Sequence, residues 1–323
     1  MKIGLLLPDG YFDEFEGWRP EDAWDRILKV AELGERLGFG SLWNGEHTLA
    51  KWNPESPIFD CVTVMTSVAA VVPRVEIGFT VINSSFRNPA MTAKTAATMD
   101  TISGGRVILG LGAGFKENEA RAYGQPFPEL KTRMAMLSEH FEIISRMTRR
   151  DEPPFTFMGQ HARVEEVVNN PRTGGRDHIP LLIGGHGPNV TFRLAARYCD
   201  EINIDVDQPD MPAAIEVLHD RCHEIGRDPG TLMVATGTNP SWPYPGLRIT
   251  GRQRMMTQAD VPAIMNADLS RLKTRAEEFA GWREMGIDRL TCGVPGLADS
   301  DEGLYELLDD LRSAGIGLAP AAV

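Results

Sequence analysis

The stretch Val107-Ile-Leu-Gly-Leu-Gly-Ala-Gly-Phe115 passes from an unbroken apolar run into glycines at every second position, and Leu181-Leu-Ile-Gly-Gly-His-Gly-Pro188 repeats the theme. An apolar run without alternation reads as a strand buried on both faces, the condition of a parallel sheet covered by helices. Glycines at its carboxyl end let the backbone approach a ligand, and the start of the next helix favours an anion. Tight strand-to-helix turns alone also call for glycine. Two such exits in one chain point instead to a bound phosphorylated cofactor.

Outward from these exits, strand and helix patterns alternate along the chain. Strands are expected at residues 2–7, 40–44, 75–83, 106–112, 181–184, 201–204, 231–236 and 289–293. Helical spacing follows at residues 21–37, 59–72, 89–102, 132–149, 189–198, 211–225, 269–285 and 303–314. Gly38 falls where a C-cap belongs, and Pro89 suits the first turn of its helix. Residues 150–179 break the rhythm with a β-hairpin turning near Gly159, and residues 237–268 form a Pro/Gly-rich excursion. Eight βα units in 323 residues, with no linker-like shift in composition, predict a single α/β domain, a (β/α)8 TIM barrel over residues 1–323. The excursions after the fourth and seventh strands belong to the active-site face and read as lids.

Composition narrows the function. The chain is 42% hydrophobic with a net charge of -12 and shows no basic cluster, which argues against nucleic acid and anionic membranes as partners. The opening apolar run is cut at Pro8-Asp-Gly10, too early for a signal segment, and no stretch approaches the roughly 18 apolar residues of a membrane span. Cys61, Cys199, Cys222 and Cys292 are scattered, without a C-x-x-C, as expected for reduced thiols in a cytoplasmic protein.

The second strand ends in Trp43-Asn-Gly-Glu-His47. A Glu46–His47 pair at the carboxyl end of a barrel strand sits where catalytic groups sit, and histidine exchanges protons near neutral pH. Neither residue has metal-ligand spacing with another His or Cys, so no metal site is expected. The third strand ends in Thr80-Val-Ile-Asn-Ser-Ser85, where Asn83 and the serines offer hydrogen bonds to a planar ring or a phosphate; Ser85 and Asn88 equally suit capping of the next helix. Trp52, Phe115 and Trp242 supply aromatic surface near these exits, suited to a flat conjugated ligand.

Arg87-Asn-Pro89, Met99-Asp100, Ser103-Gly-Gly-Arg106, Leu109-Gly-Leu-Gly-Ala-Gly114 and Pro180-Leu-Leu-Ile-Gly-Gly185 with Leu194-Ala-Ala-Arg-Tyr198 resemble, in this order and over almost the whole chain, the bacterial luciferase-like superfamily. Ala122-Tyr-Gly-Gln-Pro-Phe-Pro128 and Val168-Asn-Asn-Pro171 are similar to its coenzyme F420-dependent oxidoreductase branch. The resemblance implies a barrel with a deazaflavin across its carboxyl face. It implies hydride transfer between the deazaflavin C5 and a small carbonyl, imine or activated alkene, with His47 exchanging the proton and Glu46 orienting it or touching the ring. It further implies a non-prolyl cis peptide at Thr80–Val81 behind the ring. Asn118, Gly184 and Gly185 would hold the cofactor's chain and phosphate, and the strand-exit glycines Gly112 and Gly114 are expected to bind the same cofactor. A homodimer acting on a small-molecule substrate is implied as well. Two departures speak against sugar phosphate as that substrate: Phe115 stands where the sugar-phosphate dehydrogenases carry Glu, and Trp52 lies one residue further from His47. An apolar or aromatic substrate suits Phe115 better. Two alternatives remain open: an FMN-dependent monooxygenase using a partner reductase and oxygen, and a barrel that binds a cofactor without turnover.

Overall fold

The computed structural model describes residues 1–238, 274–294 and 296–318. Eight parallel strands close on themselves: β1 (Lys2–Leu6), β2 (Ser41–Asn44), β3 (Glu76–Phe79), β5 (Val107–Gly112), β8 (Leu181–Gly184), β9 (Glu201–Asn203), β10 (Met233–Thr238) and β11 (Arg289–Cys292). Closure is made where β1 pairs with β11 (Lys2↔Arg289) and where β3 pairs with β5 (Ile77↔Val107). A short β4 (Ile82–Asn83) continues the third strand along β5, in register Ile82↔Leu111, beyond a cis peptide at Thr80–Val81. The cis bond lies where the family resemblance puts it.

Nine helices lie among the described residues: α1 (Pro20–Leu37), α2 (Cys61–Val71), α3 (Pro89–Ser103), α4 (Glu117–Ala122), α5 (Leu130–Met147), α6 (Thr191–Tyr198), α7 (Met211–His223), α8 (Arg275–Glu284) and α9 (Glu302–Ser313). Their ends follow from local chemistry. Asp60 caps α2 by accepting the Thr63 N–H, and Asn88 caps α3 by accepting from Ala90 and Met91, with Pro89 in its first turn. Gly38 ends α1 in the left-handed conformation at φ 94°.

The barrel interior is layered. At its amino end Arg289 reaches across to Glu201 (2.8 Å), Glu76 (2.8 Å) and Ser41 Oγ (2.8 Å). Above this buried ion cluster Trp43 packs with Ile108 and Leu182, its indole N–H donating to Ser41 Oγ at 2.7 Å. The tryptophan fits because Gly4 and Gly78 face it: a Cβ on either would come within 2.4 Å of the indole. The outer faces of the strands meet the helices in one large apolar cluster.

The expected elements recur with shifted ends. The seventh strand of the barrel begins at Met233 because Pro229–Thr231 forms a 3-10 turn capped by Asp228. The excursion at 150–179 contains the expected hairpin, β6 (Phe155–Met158) with β7 (Arg163–Val167). Its return limb is tied to the barrel by Thr173 and Arg176, both bonded to the Asp100 carboxylate. Residues 239–268 of the second excursion lie outside the described residues.

Candidate functional site

The strand exits place the site at the carboxyl end of the barrel. His47 follows β2, and its ring stacks on Tyr11 from the β1 exit, centroids 3.6 Å apart and 12° from parallel. His47 Nδ1 lies 2.8 Å from Glu119 Oε1, on α4. Glu119 is almost wholly enclosed, at 3% side-chain exposure, and its other oxygen accepts the Thr48 N–H at 3.4 Å. A carboxylate acceptor at Nδ1 assigns the ring proton to that nitrogen and leaves Nε2 with its lone pair.

Of the two roles expected for Glu46, its hydrogen bonds do not supply the orienting of His47. Its carboxylate accepts the Asn83 N–H (2.7 Å) and Arg87 Nε (2.7 Å), and Arg87 also pairs with Asp60 (2.8 Å). Its own N–H donates to the Val81 carbonyl at 3.1 Å. Burial pushes the Glu46 carboxyl above its ordinary value, against the pull of Arg87. The residue pins the second strand exit to the third. Glu119, absent from the sequence reading, takes the orienting role.

Three of the glycines are approached by the chain's own side chains. A Cβ on Gly112 would meet the Val81 side chain at 2.6 Å, and one on Gly184 would meet it at 3.0 Å. Gly114, at φ 71°, lies against the Asn83 amide, where a Cβ would meet Oδ1 at 2.3 Å. The groups that approach these glycines closely are the chain's own side chains, and Val81 forms an apolar ledge between β5 and β8. Asn83 Oδ1 is taken up by the Ser85 N–H (3.1 Å) and Ser85 hydroxyl (2.7 Å). Thr80 is half-buried, its N–H bonded to the Asn44 carbonyl. Gly185 differs: at φ 127° its missing Cβ would make only an ordinary contact with Thr191, at 3.6 Å. It opens the loop leading into α6, whose start has no side-chain cap. Asn118 is exposed, one residue before Glu119.

An aromatic wall rises beside His47. The Phe115 ring meets it edge-on at 5.8 Å, Tyr11 meets Phe12 at 4.8 Å, and Phe12 meets Trp52 at 6.2 Å. Phe115 and Trp52 are 64% and 53% exposed, unusual for such large apolar rings. Trp242 lies outside the described residues. Behind the wall, burial and then the Glu14 charge push the Asp9 carboxyl up to about 8. Burial likewise raises the Tyr11 hydroxyl, followed by the charges of Glu119 and Asp9.

The residues missed by sequence reading are Glu119, Tyr11 and Asp9. Asp9 and Tyr11 lie just beyond the first strand in Pro8-Asp-Gly-Tyr11, so the strand-exit rule that marked His47 applies to them too.

A closed parallel barrel, with a carboxylate-held histidine at its carboxyl mouth beside an aromatic wall, defines a barrel enzyme architecture of the luciferase-like kind. The family model described as luciferase-like monooxygenase matches residues 1–242, and the chain belongs to that family. It is 33% identical over 197 residues to the F420-dependent glucose-6-phosphate dehydrogenase of Amycolatopsis mediterranei, covering 60% of this chain and 56% of that protein. It is 26% identical over 231 residues to the 5,10-methylenetetrahydromethanopterin reductase of Methanopyrus kandleri, covering 68% of this chain and 63% of that protein. The chain thus spans little more than half to under two thirds of the length of these relatives. A solved F420-dependent secondary alcohol dehydrogenase, in complex with an F420-acetone adduct, shares the fold at TM-score 0.74 and 21% identity over 97% of this chain and 98% of that one.

Proposed function

We propose that the chain is a coenzyme F420-dependent oxidoreductase that moves a hydride between the deazaflavin and a small organic carbonyl, imine or activated alkene. The observation that carries this is His47, held through Nδ1 by Glu119 at the barrel mouth, in a chain whose curated relatives are named for F420. Bound there, the cofactor would supply the hydride at C5. The chain's own residues supply the rest. Val81 offers an apolar ledge for a flat ring, and the uncapped start of α6 behind Gly185 offers an anion site for a phosphate, with Asn118 and Gly184 assigned to the same chain. His47 Nε2 gives or takes the proton that accompanies the hydride, and Glu119 stabilises the imidazole when it carries both protons. The exposed rings of Phe115 and Trp52 offer apolar surface beside that exchange.

The family description also names monooxygenases, which favours a second reading: an FMN enzyme fed by a reductase and consuming oxygen. Fluorescence titration separates the two. F420 is expected to bind at micromolar or tighter Kd and more tightly than FMN. Tighter FMN binding with oxygen uptake on reduction would transfer the case to the monooxygenase. The reading includes a cytoplasmic homodimer; the four free, buried cysteines suit a reducing compartment, and sedimentation would test the dimer.

A further inference from the structure

Two lysines stand over the aromatic wall. Lys51 Nζ lies 5.0 Å from the centre of the Phe12 ring and 4.9 Å from that of Trp52. Lys116 Nζ lies 5.5 Å from that of Tyr11 and 5.3 Å from that of Phe115. Neither has an ion-pair partner among the described residues, in a chain that carries 45 acidic against 33 basic residues.

The acids nearby are engaged elsewhere. Asp13 accepts the Trp52 and Asn53 N–H groups, each at 2.9 Å. Glu16 bonds the Asn53 amide, Glu117 pairs with Arg121, and Glu119 holds His47. Lys51 is drawn below the ordinary lysine value by burial first and then by the charge of Lys116, so the two ammonium groups feel each other. Two like charges over apolar rings, with the hydrogen-bonded Asp13 carboxylate as the counter-charge that acts on Lys51 and no direct ion pair to either among the described residues, form an arrangement that an anion completes.

We propose that this mouth selects a small organic anion as substrate, its carboxylate set between Lys51 and Lys116 and its apolar body laid on Phe115 and Trp52. Calling the ligand a substrate rests on the oxidoreductase reading; the anion site itself does not. The placement sets the reacting carbon near His47, because Tyr11 and Phe115, the rings beneath Lys116, are the rings that touch His47. Burial and the Glu14 charge raise the Asp9 carboxyl behind them, which weakens its negative charge near neutral pH. Cation–ring contacts keep the ammonium groups in place before the ligand arrives. The wall would then sort ligands by charge as well as by shape.

The test is calorimetric titration of the protein, with and without F420, using acetate, phenylacetate and 3-phenylpropionate, each against its neutral amide. At least one aryl carboxylate is expected to bind, about tenfold or more tightly than its amide, the order set by one charge-assisted contact. Acetate is expected to bind more weakly than the aryl acids, and added salt to weaken all three. Lys51→Met and Lys116→Met, which keep the stems on the rings, are each expected to lower carboxylate affinity about tenfold and leave amide affinity unchanged. F420 affinity, read by fluorescence, is expected to stay within about threefold of the unaltered protein in both variants.

Equal binding of acid and amide across the panel would overturn the proposal. So would lysine variants that lose F420 affinity instead, because the anion received would then be the cofactor's acidic tail. Charge selection that survives in a protein unable to bind F420 would sink the oxidoreductase reading and leave the anion site standing.

Discussion

The sharpest consequence of the site concerns Glu119. The Nδ1 to Oε1 distance of 2.8 Å joins side chains that are 15% and 3% exposed, so solvent screens the contact little. A hydrogen bond to a charged group contributes roughly 1.5–3 kcal/mol. Glu119 gives most of that when His47 carries both protons, the form reached as it takes one from the reacting centre. Removing the charge should therefore slow a proton-coupled step about ten- to a hundredfold. Glu119→Gln keeps an acceptor oxygen without the charge and should fall at the lower end. Glu119→Ala strips the acceptor as well; it should fall at the upper end and lose about 1–3 kcal/mol of folding stability from a partly buried donor left without a partner. Nitrogen-15 NMR of the imidazole at neutral pH reads the cause directly: His47 in the Nδ1–H form in the unaltered protein, a tautomer mixture in Glu119→Ala. Turnover of F420 absorbance reads the consequence. An Nδ1–H tautomer that persists in Glu119→Ala, or turnover within threefold of the unaltered protein, would refute the orienting role.

Further expectations concern the rest of the molecule. His47→Ala should cost about 10²–10⁴-fold in turnover with F420 affinity little changed, and near-normal turnover would reduce His47 to packing on Tyr11. Arg289→Met strands the enclosed Glu201 carboxylate and should destabilise the barrel by about 3–5 kcal/mol in urea unfolding, whereas Arg289→Met with Glu201→Leu should recover much of it; a single variant as stable as the parent would show the cluster to be idle. Burial holds the enclosed His140 imidazole at about 4 against an ordinary 6.5. The unfolded chain therefore takes up a proton that the folded one refuses, and stability should fall by about 3 kcal/mol as pH drops from 6.5 to 4. Equilibrium unfolding across that range checks it: His140→Phe should flatten the slope, and equal slopes in both proteins would contradict it.

The barrel was legible because its strands are buried on both faces and so read as apolar runs, each followed by helical spacing. What escaped the sequence is instructive. The third strand read as continuous over residues 75–83, yet it divides into Glu76–Phe79 and Ile82–Asn83. Nothing in the composition of Thr80 and Val81 marks that division; family resemblance alone marked it. The helix Glu117–Ala122 is too short to show a period. Within it Glu117 and Glu119 look alike in sequence, but Glu117 pairs with Arg121 on the surface at 2.7 Å while Glu119 turns inward to His47. Such a choice is made by closure of the barrel. The wall is likewise a tertiary product: Tyr11 and Phe12 come from the first strand exit, Lys51 and Trp52 from the second, and Phe115 and Lys116 from the fourth.

Along Val107–Gly112 the odd positions Val107, Leu109 and Leu111 join the large cluster beneath the helices, while Ile108 packs inside the barrel with Trp43 and Leu182. Alternation puts Gly110 and Gly112 on the same inner face as Ile108. Glycine there hollows out the upper interior, and the space is taken first by the chain itself: Val81 stands over Gly112 and Gly184, and Asn83 over Gly114. The glycine signal therefore speaks first of the chain's own packing. Small residues on the fourth and fifth barrel strands admit the side chains of the third strand exit. A Cβ at Gly112 would accordingly act through Val81, displacing the ledge before it reached any ligand.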